Sequence, residues 1–198
     1  MCVDVVAGHT YYLLLDSYAA PAYNAYSNLY ISEPVPVSGS NDQPCFATAL
    51  TLGVNSAGDN SCATATGEPA MPSCWNNTTS NTVWYSVVCP ASGALRIRTI
   101  SGTLTDTQIG LYKGTCASLT TIAAWCNNNA PSCGTSAYSN SELIINSGLI
   151  AGDTYFIVVD GTGSTTGSFD IQVSDASLPV VPAAGQECAS TNPVCNQV

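Results

Sequence analysis

Few side chains in this chain of 198 residues could do chemistry, and their types narrow the choice. The one histidine is His9. A serine or cysteine nucleophile needs a base such as imidazole held against it, and a single histidine near one end cannot serve the rest of the sequence. Asp and Glu are scattered, and no Glu pair points to a glycosidase. Gly161-Thr162-Gly163-Ser164-Thr165-Thr166-Gly167 looks like a phosphate loop. It joins two extended segments rather than a strand and a helix, however, and no lysine follows, so a mobile hairpin loop is expected. Ten cysteines include no Cys-x-x-Cys pair, so disulfides are expected rather than zinc. Three basic residues, Arg96, Arg98 and Lys113, stand against thirteen acidic ones, a net charge of −10 that repels nucleic acid and anionic membranes. No stretch is long and apolar enough to span a bilayer as a helix. The chain reads as a non-catalytic protein of an oxidising, extracellular or cell-surface setting.

The elements that must position these residues are strands. Short runs rich in β-branched and aromatic residues are separated by Gly, Asn, Ser and Pro, the pattern of an all-β, jelly-roll-like β-sandwich. Strands are expected at Thr82–Cys89, Ala94–Ser101, Gln108–Tyr112, Thr121–Trp125, Glu142–Asn146, Thr154–Asp160 and Ser168–Ser174. Phe169, Ile171 and Val173 alternate with Asp170, Gln172 and Ser174, one face dry and one wet. Thr154–Val159 is apolar on both faces, which marks a central strand. Leu95 and Ile97 alternate with Arg96 and Arg98, placing both arginines outward. Charged residues make up 8%, against about 25% in ordinary domains, so Ser, Thr, Asn and Gly must supply solubility.

The chain also repeats itself. Ala7-Gly8-His9-Thr10-Tyr11-Tyr12-Leu13-Leu14-Leu15-Asp16 returns 144 positions on as Ala151-Gly152-Asp153-Thr154-Tyr155-Phe156-Ile157-Val158-Val159-Asp160. Asp42 to Thr48 returns, displaced by 143, as Gly185 to Thr191. Tandem repetition of whole domains follows. Residues 1–33 are expected to be the C-terminal part of a preceding sandwich, 34–40 a Pro-rich linker, and 41–177 a complete sandwich. Residues 178–184 read as a second linker and 185–198 as the start of a third unit. The linkers, with Pro34, Pro36, Pro179 and Pro182, are semi-rigid spacers. A rival reading takes the chain as whole, its half-units completed by neighbouring copies in a head-to-tail filament.

Six motifs in order carry a family resemblance. They are Asn41-Asp42-x-x-Cys45, Val83-Trp84-Tyr85-Ser86-Val87, Asp106-Thr107-x-Ile109-x-Leu111-Tyr112-x-Gly114-x-Cys116, Trp125-Cys126-Asn127-Asn128-Asn129, Ala151-Gly152-x-Thr154-Tyr155-Phe156-Ile157-x-Val159 and Gly167-x-Phe169-x-Ile171-x-Val173. Together residues 41–175 resemble the pre-peptidase C-terminal-like β-sandwich, a module of large secreted and cell-surface proteins, notably adhesins of gliding bacteria, and of secreted peptidases. The resemblance implies a jelly-roll-like sandwich, extracellular location and, in some members, calcium, but no catalysis. Asp106, Asn127, Asn128 and Asp160 are the calcium candidates it leaves here. The segment after Cys126 is amide where similar modules are often acidic, and charge count sets calcium affinity. The competing reading, in which Asp106 caps a turn and the Asn run accepts left-handed backbone, is favoured. The resemblance also supports pairing Cys116 with Cys126, which bracket a short hairpin-like segment. Cys45, Cys62, Cys74, Cys89 and Cys133 then remain inside the unit, an odd number, so one pairs outside it or stays free.

The function expected is that of a structural, adhesive repeat of a long surface protein or filament. Its partners would be copies of itself or neighbouring units, through Tyr18, Tyr23, Tyr26 and the outward Arg96 and Arg98. The alternative is an accessory domain of a secreted hydrolase that binds surface glycans on exposed aromatics, with Trp75, Trp84, Trp125, Tyr23, Tyr26 and Tyr138 as candidates, although Trp84 and Trp125 lie in strands, where tryptophan is more often core.

Overall fold

The computed structural model describes residues 8–14, 41–75, 79–129 and 140–178, and its coordinates divide into two compact units, Met1–Ser38 and Gly39–Val198. The second unit is a β-sandwich. Its strands are β1 (Thr48–Ala49), β2 (Asn55–Asp59), β3 (Val83–Val88), β4 (Leu95–Ser101), β5 (Thr107–Thr115), β6 (Ser118–Asn127), β7 (Glu142–Ile145), β8 (Thr154–Gly161) and β9 (Ser168–Asp175). One sheet has the order β1-β3-β8-β5-β6 and the other β2-β9-β4-β7. Every pair is antiparallel except β1 with β3. All seven strands expected from sequence are present. β5 and β6 run longer than expected because they form a hairpin whose pairing continues to Thr115 opposite Ser118.

Alternation decides which side chains fill the space between the sheets. Leu95, Ile97, Phe169, Ile171 and Val173 point inward from the four-stranded sheet to meet Val83, Tyr85, Ile109, Leu111, Ile157 and Val159. Each such aliphatic side chain contributes about 1.5–3 kcal/mol by leaving water. The five-stranded sheet is covered on its other face as well. There Val158 joins Trp75, Trp84 and Tyr112 in a second buried cluster. Residues 60–75 form part of that cover, and hydrogen bonds fix it: Trp75 Nε1 donates to Ile109 O (3.1 Å) and Tyr112 Oη to Ala70 O (2.9 Å). Pro72 lies so close over Gly110 that a Cβ there has no room. Two buried faces account for the run of apolar residues in β8, which lies between β3 and β5.

Two expectations are corrected. Residues 161–167 do not close a hairpin, because β8 and β9 belong to different sheets. A short 3-10 turn at Thr162–Ser164 carries the chain across, with Gly163 and Ser164 both at a φ of 65°. Cys116 does not pair with Cys126. Cys116 sits in the β5–β6 turn, and Cys126 lies opposite Gly110 towards the far end of β6. Ten residues of strand separate two Cα atoms by roughly 30 Å, whereas a disulfide needs about 4.4–6.8 Å. Each cysteine instead reaches over the outer cover. Cys116 bonds Cys45 and Cys126 bonds Cys74, with Cα separations of 4.7 and 6.1 Å. Cys62 is also disulfide-bonded, and Cys89 is a buried free thiol.

Candidate functional site

The polar groups picked out by sequence gather at one end of the sandwich. β3, β5 and β7 begin there and β6 and β8 end there, as the pairings Val83–Val159, Thr107–Gly161 and Ile109–Asn127 require. Asp106 precedes β5, Asn127 closes β6, and Asp160 and Thr162 close β8. The Thr162 hydroxyl lies 3.0 Å from Asp106 Oδ1 and 3.0 Å from Asn128 Oδ1, and Thr162 N donates to Asp106 O. Asp106, Asn128 and Thr162 therefore converge.

The other two calcium candidates are committed elsewhere. Asn127 Oδ1 accepts the Glu142 N–H and its amide donates to Asn129 O, so this side chain fastens the start of β7. Asp160 is fully buried, and its two oxygens accept the N–H groups of Ser80, Asn81 and Gly161. Three backbone donors form an anion-holding nest that opposes a cation. Burial pushes the Asp160 carboxyl above the usual range, and the three N–H groups pull it part of the way back. Its role is to clamp the turn before β3 onto the end of β8. Of the calcium set, only Asp106 and Asn128 meet, and they offer a single carboxylate.

A second carboxyl, Glu68, escaped the sequence reading because its partners lie in other elements. Glu68 Oε1 accepts from Trp84 Nε1 (2.8 Å) and from the Thr82 hydroxyl. The same hydroxyl also faces Thr64 O at 2.9 Å. One hydroxyl hydrogen cannot satisfy two acceptors at once, so the Thr82 hydroxyl is shared between Glu68 and Thr64 O. Burial raises the Glu68 carboxyl, with smaller contributions from Asp42 and Asp160, against the lowering bonds from Thr82 and Trp84. Glu68 borders an open groove of about 490 Å³ between Gln43–Phe46, Gly67–Pro69 and Cys116–Leu119. Phe46 projects into solvent there.

On the outer face of the four-stranded sheet, Asn55, Gln172, Arg98 and Glu142 lie in one cross-strand row. Arg96 is outward as expected, but it is ion-paired with Glu142 of its own sheet, diagonally across the ladder. Arg98 Nε is shielded from solvent without a hydrogen-bond partner. The aromatic platform is corrected at Trp75, which is buried. Trp84 is buried in its strand, as expected of a core residue, and Trp125 is half-buried, edge-on to Tyr155 at 6.1 Å. Tyr18, Tyr23, Tyr26 and Tyr138 lie outside the described residues, as do both linkers except Leu178.

No protein-family model matches the chain, and no curated protein sequence matches it. Among solved structures it is similar to the pre-peptidase C-terminal domain of a collagenase from Bacillus anthracis. The identity is 11% and the TM-score 0.39, covering 65% of this chain and 94% of that chain.

Proposed function

We propose that this chain is a load-bearing, non-catalytic module in a tandem array of extracellular β-sandwiches. The observation that carries this reading is how the two ends of the unit are anchored. At the start, β1 is two residues long and would peel easily, but Cys45, just before it, is bonded to Cys116 in the β5–β6 turn. Tension arriving at residue 43 therefore passes into the hairpin and bypasses β1. At the end, β9 leaves the sandwich from between β2 and β4, so two ladders must give way together. The repeat and the proline linkers supply the rest of the argument: a unit fixed at both ends and joined to its neighbours by stiff spacers extends and resists pulling. The disulfides support an oxidising compartment. The buried Asp160 and the half-buried Glu68 are both engaged in holding loops, which supports a structural use of the polar residues.

Electron microscopy of the oxidised protein taken from its source tests the reading. Beaded strands or regular filaments with a repeat near one domain length are expected. Isolated particles joined to a globular catalytic region would overturn it in favour of an accessory domain.

A further inference from the structure

Three segments distant in sequence are fastened together around the open groove of about 490 Å³ that Glu68 borders. The Cys45–Cys116 bond joins the turn before β1 to the tip of the β5–β6 hairpin. Asp42 accepts the N–H and the hydroxyl of Thr64 (2.5 and 3.0 Å), and Gln43 Nε2 donates to Thr66 O (3.1 Å). These bonds tie the same turn to the loop that carries Glu68. Glu68 in turn is pinned to Trp84 Nε1 and the Thr82 hydroxyl, both on its Oε1. Each wall is left with one free polar atom: Gln43 Oε1, Glu68 Oε2 and Ser118 Oγ make no hydrogen bond among the described residues. Beside them Phe46 is 64% exposed, yet its backbone is fixed, since Phe46 N donates to Gln43 O (2.9 Å) in the 3-10 turn Pro44–Phe46. A single exposed phenylalanine is ordinary on a protein surface. One held beside three free polar atoms in a groove has the make-up of a ligand site, apolar surface with a few placed polar groups.

We propose that this groove binds a neutral saccharide, with the C–H face of one sugar ring on Phe46 and its hydroxyls on Glu68 Oε2, Gln43 Oε1 and Ser118 Oγ. The ligand class follows from the chemistry of the walls. Acids are repelled: the lining holds no Lys, Arg or His, Glu68 adds a carboxyl, and the chain carries a net charge of −10. An ammonium group is a compact point charge, which Glu68 alone would satisfy, leaving the amide and hydroxyl walls unused. A sugar ring uses all three, because it carries several hydroxyl donors around an apolar face and two of the free atoms are acceptors only. Trp84, expected as a platform, is buried and contributes by holding the carboxyl in place. The walls are set before the ligand arrives, so little ordering is lost on binding. The site belongs to a single unit and does not depend on the array reading.

The test titrates the full, oxidised, isotope-labelled chain with neutral trisaccharides of glucose, mannose, xylose and N-acetylglucosamine, each at up to about 10 mM, and follows backbone amides by NMR. Trigalacturonic acid is the acidic control and trilysine the basic one. Shifts confined to residues 43–46, 67–69 and 116–119 are expected with at least one neutral trisaccharide and with neither control. Phe46→Ala should weaken that binding about tenfold, the loss of an aromatic anchor. Because the ring is exposed, this variant still folds. Cys45→Ser/Cys116→Ser should weaken binding too while the amides of β8 and β9 keep their positions, since the bond holds two walls of the groove together. No shift with any neutral trisaccharide overturns the proposal, and so does equal binding by wild type and Phe46→Ala. Shifts at the same residues with trilysine alone would assign the groove to basic peptides and overturn it as well.

Discussion

Cys45 is bonded to Cys116 across a sequence separation of 71, joining the first turn of the sandwich to the tip of its longest hairpin. Under tension this bond holds the intervening segment out of the extensible chain. Single-molecule stretching of the oxidised protein should therefore release a contour length that is short by that loop. At roughly 3.4 Å per residue, reduction should lengthen the unfolding step by ~24 nm. A step that is the same with and without reductant would show that force does not run through this bond. The paired variant Cys45→Ser/Cys116→Ser should also lose about 4 kcal/mol, the loop entropy of a closure of this size.

Much of this frame is legible in the sequence, and what is not has a physical reason. β9 announces itself because Phe169, Ile171 and Val173 are buried while their neighbours are not. β8 is readable as a central strand because both its faces are apolar. β2, Asn55-Ser56-Ala57-Gly58-Asp59, is an edge strand with no fully buried residue, so no alternation reveals it. Sequence proximity and the family resemblance favour Cys116 with Cys126, whereas the true partners depend on the path of residues 41–75 over the outer face. Glu68 is hidden in the sequence for the same reason. Asp160 was seen as a carboxylate, but its use is set by Ser80 and Asn81, about eighty positions away.

The buried Asp160 and the half-buried Glu68 predict an acid-side gain in stability. A carboxyl whose pKa is raised by folding takes its proton first in the folded state. Stability therefore rises as pH falls through the folded pKa and levels off near the unfolded value of about 4. Glu68 and Asp160 are both raised. Asp175, exposed and lowered by Ser92 and Ser177, works weakly the other way. Denaturant midpoints should climb as pH falls towards the unfolded carboxyl value of about 4, and Glu68→Gln should flatten part of that climb. Asp160→Asn should instead cost about 2 kcal/mol at pH 7, because an amide nitrogen would face backbone N–H donors. Equal midpoints for wild type and Glu68→Gln across this range would contradict the account.

Cys89 is the free thiol among the described residues, and its Sγ–H points to Pro90 O. Burial pushes its pKa up, with repulsion from Asp175 and Asp153 adding to the rise. The thiolate is the reactive form, so iodoacetamide at pH 8 should leave the native protein unmodified at Cys89. In denaturant without reductant the same position should be alkylated quickly. Peptide mass spectrometry decides the matter, and native labelling would mean that this end of the sandwich opens readily.

Asp106 and Asn128 meet at the Thr162 hydroxyl, and whether they hold calcium or a turn turns on charge. Calcium affinity follows the number of carboxylates, and here Asp106 is the single one, since Asp160 is enclosed by N–H donors. A dissociation constant at or above about 1 mM adds no more than ~0.4 kcal/mol at 1 mM calcium. Thermal unfolding should then shift by less than about 2 °C between calcium and chelator. If the role is to lock the turn, Asp106→Ala should cost about 1 kcal/mol in either buffer, the worth of the lost bond to Thr162. A calcium-dependent rise of several degrees that vanishes in Asp106→Ala would instead make this end a metal site. The unmodified protein would then have to recruit oxygens beyond the three that converge there.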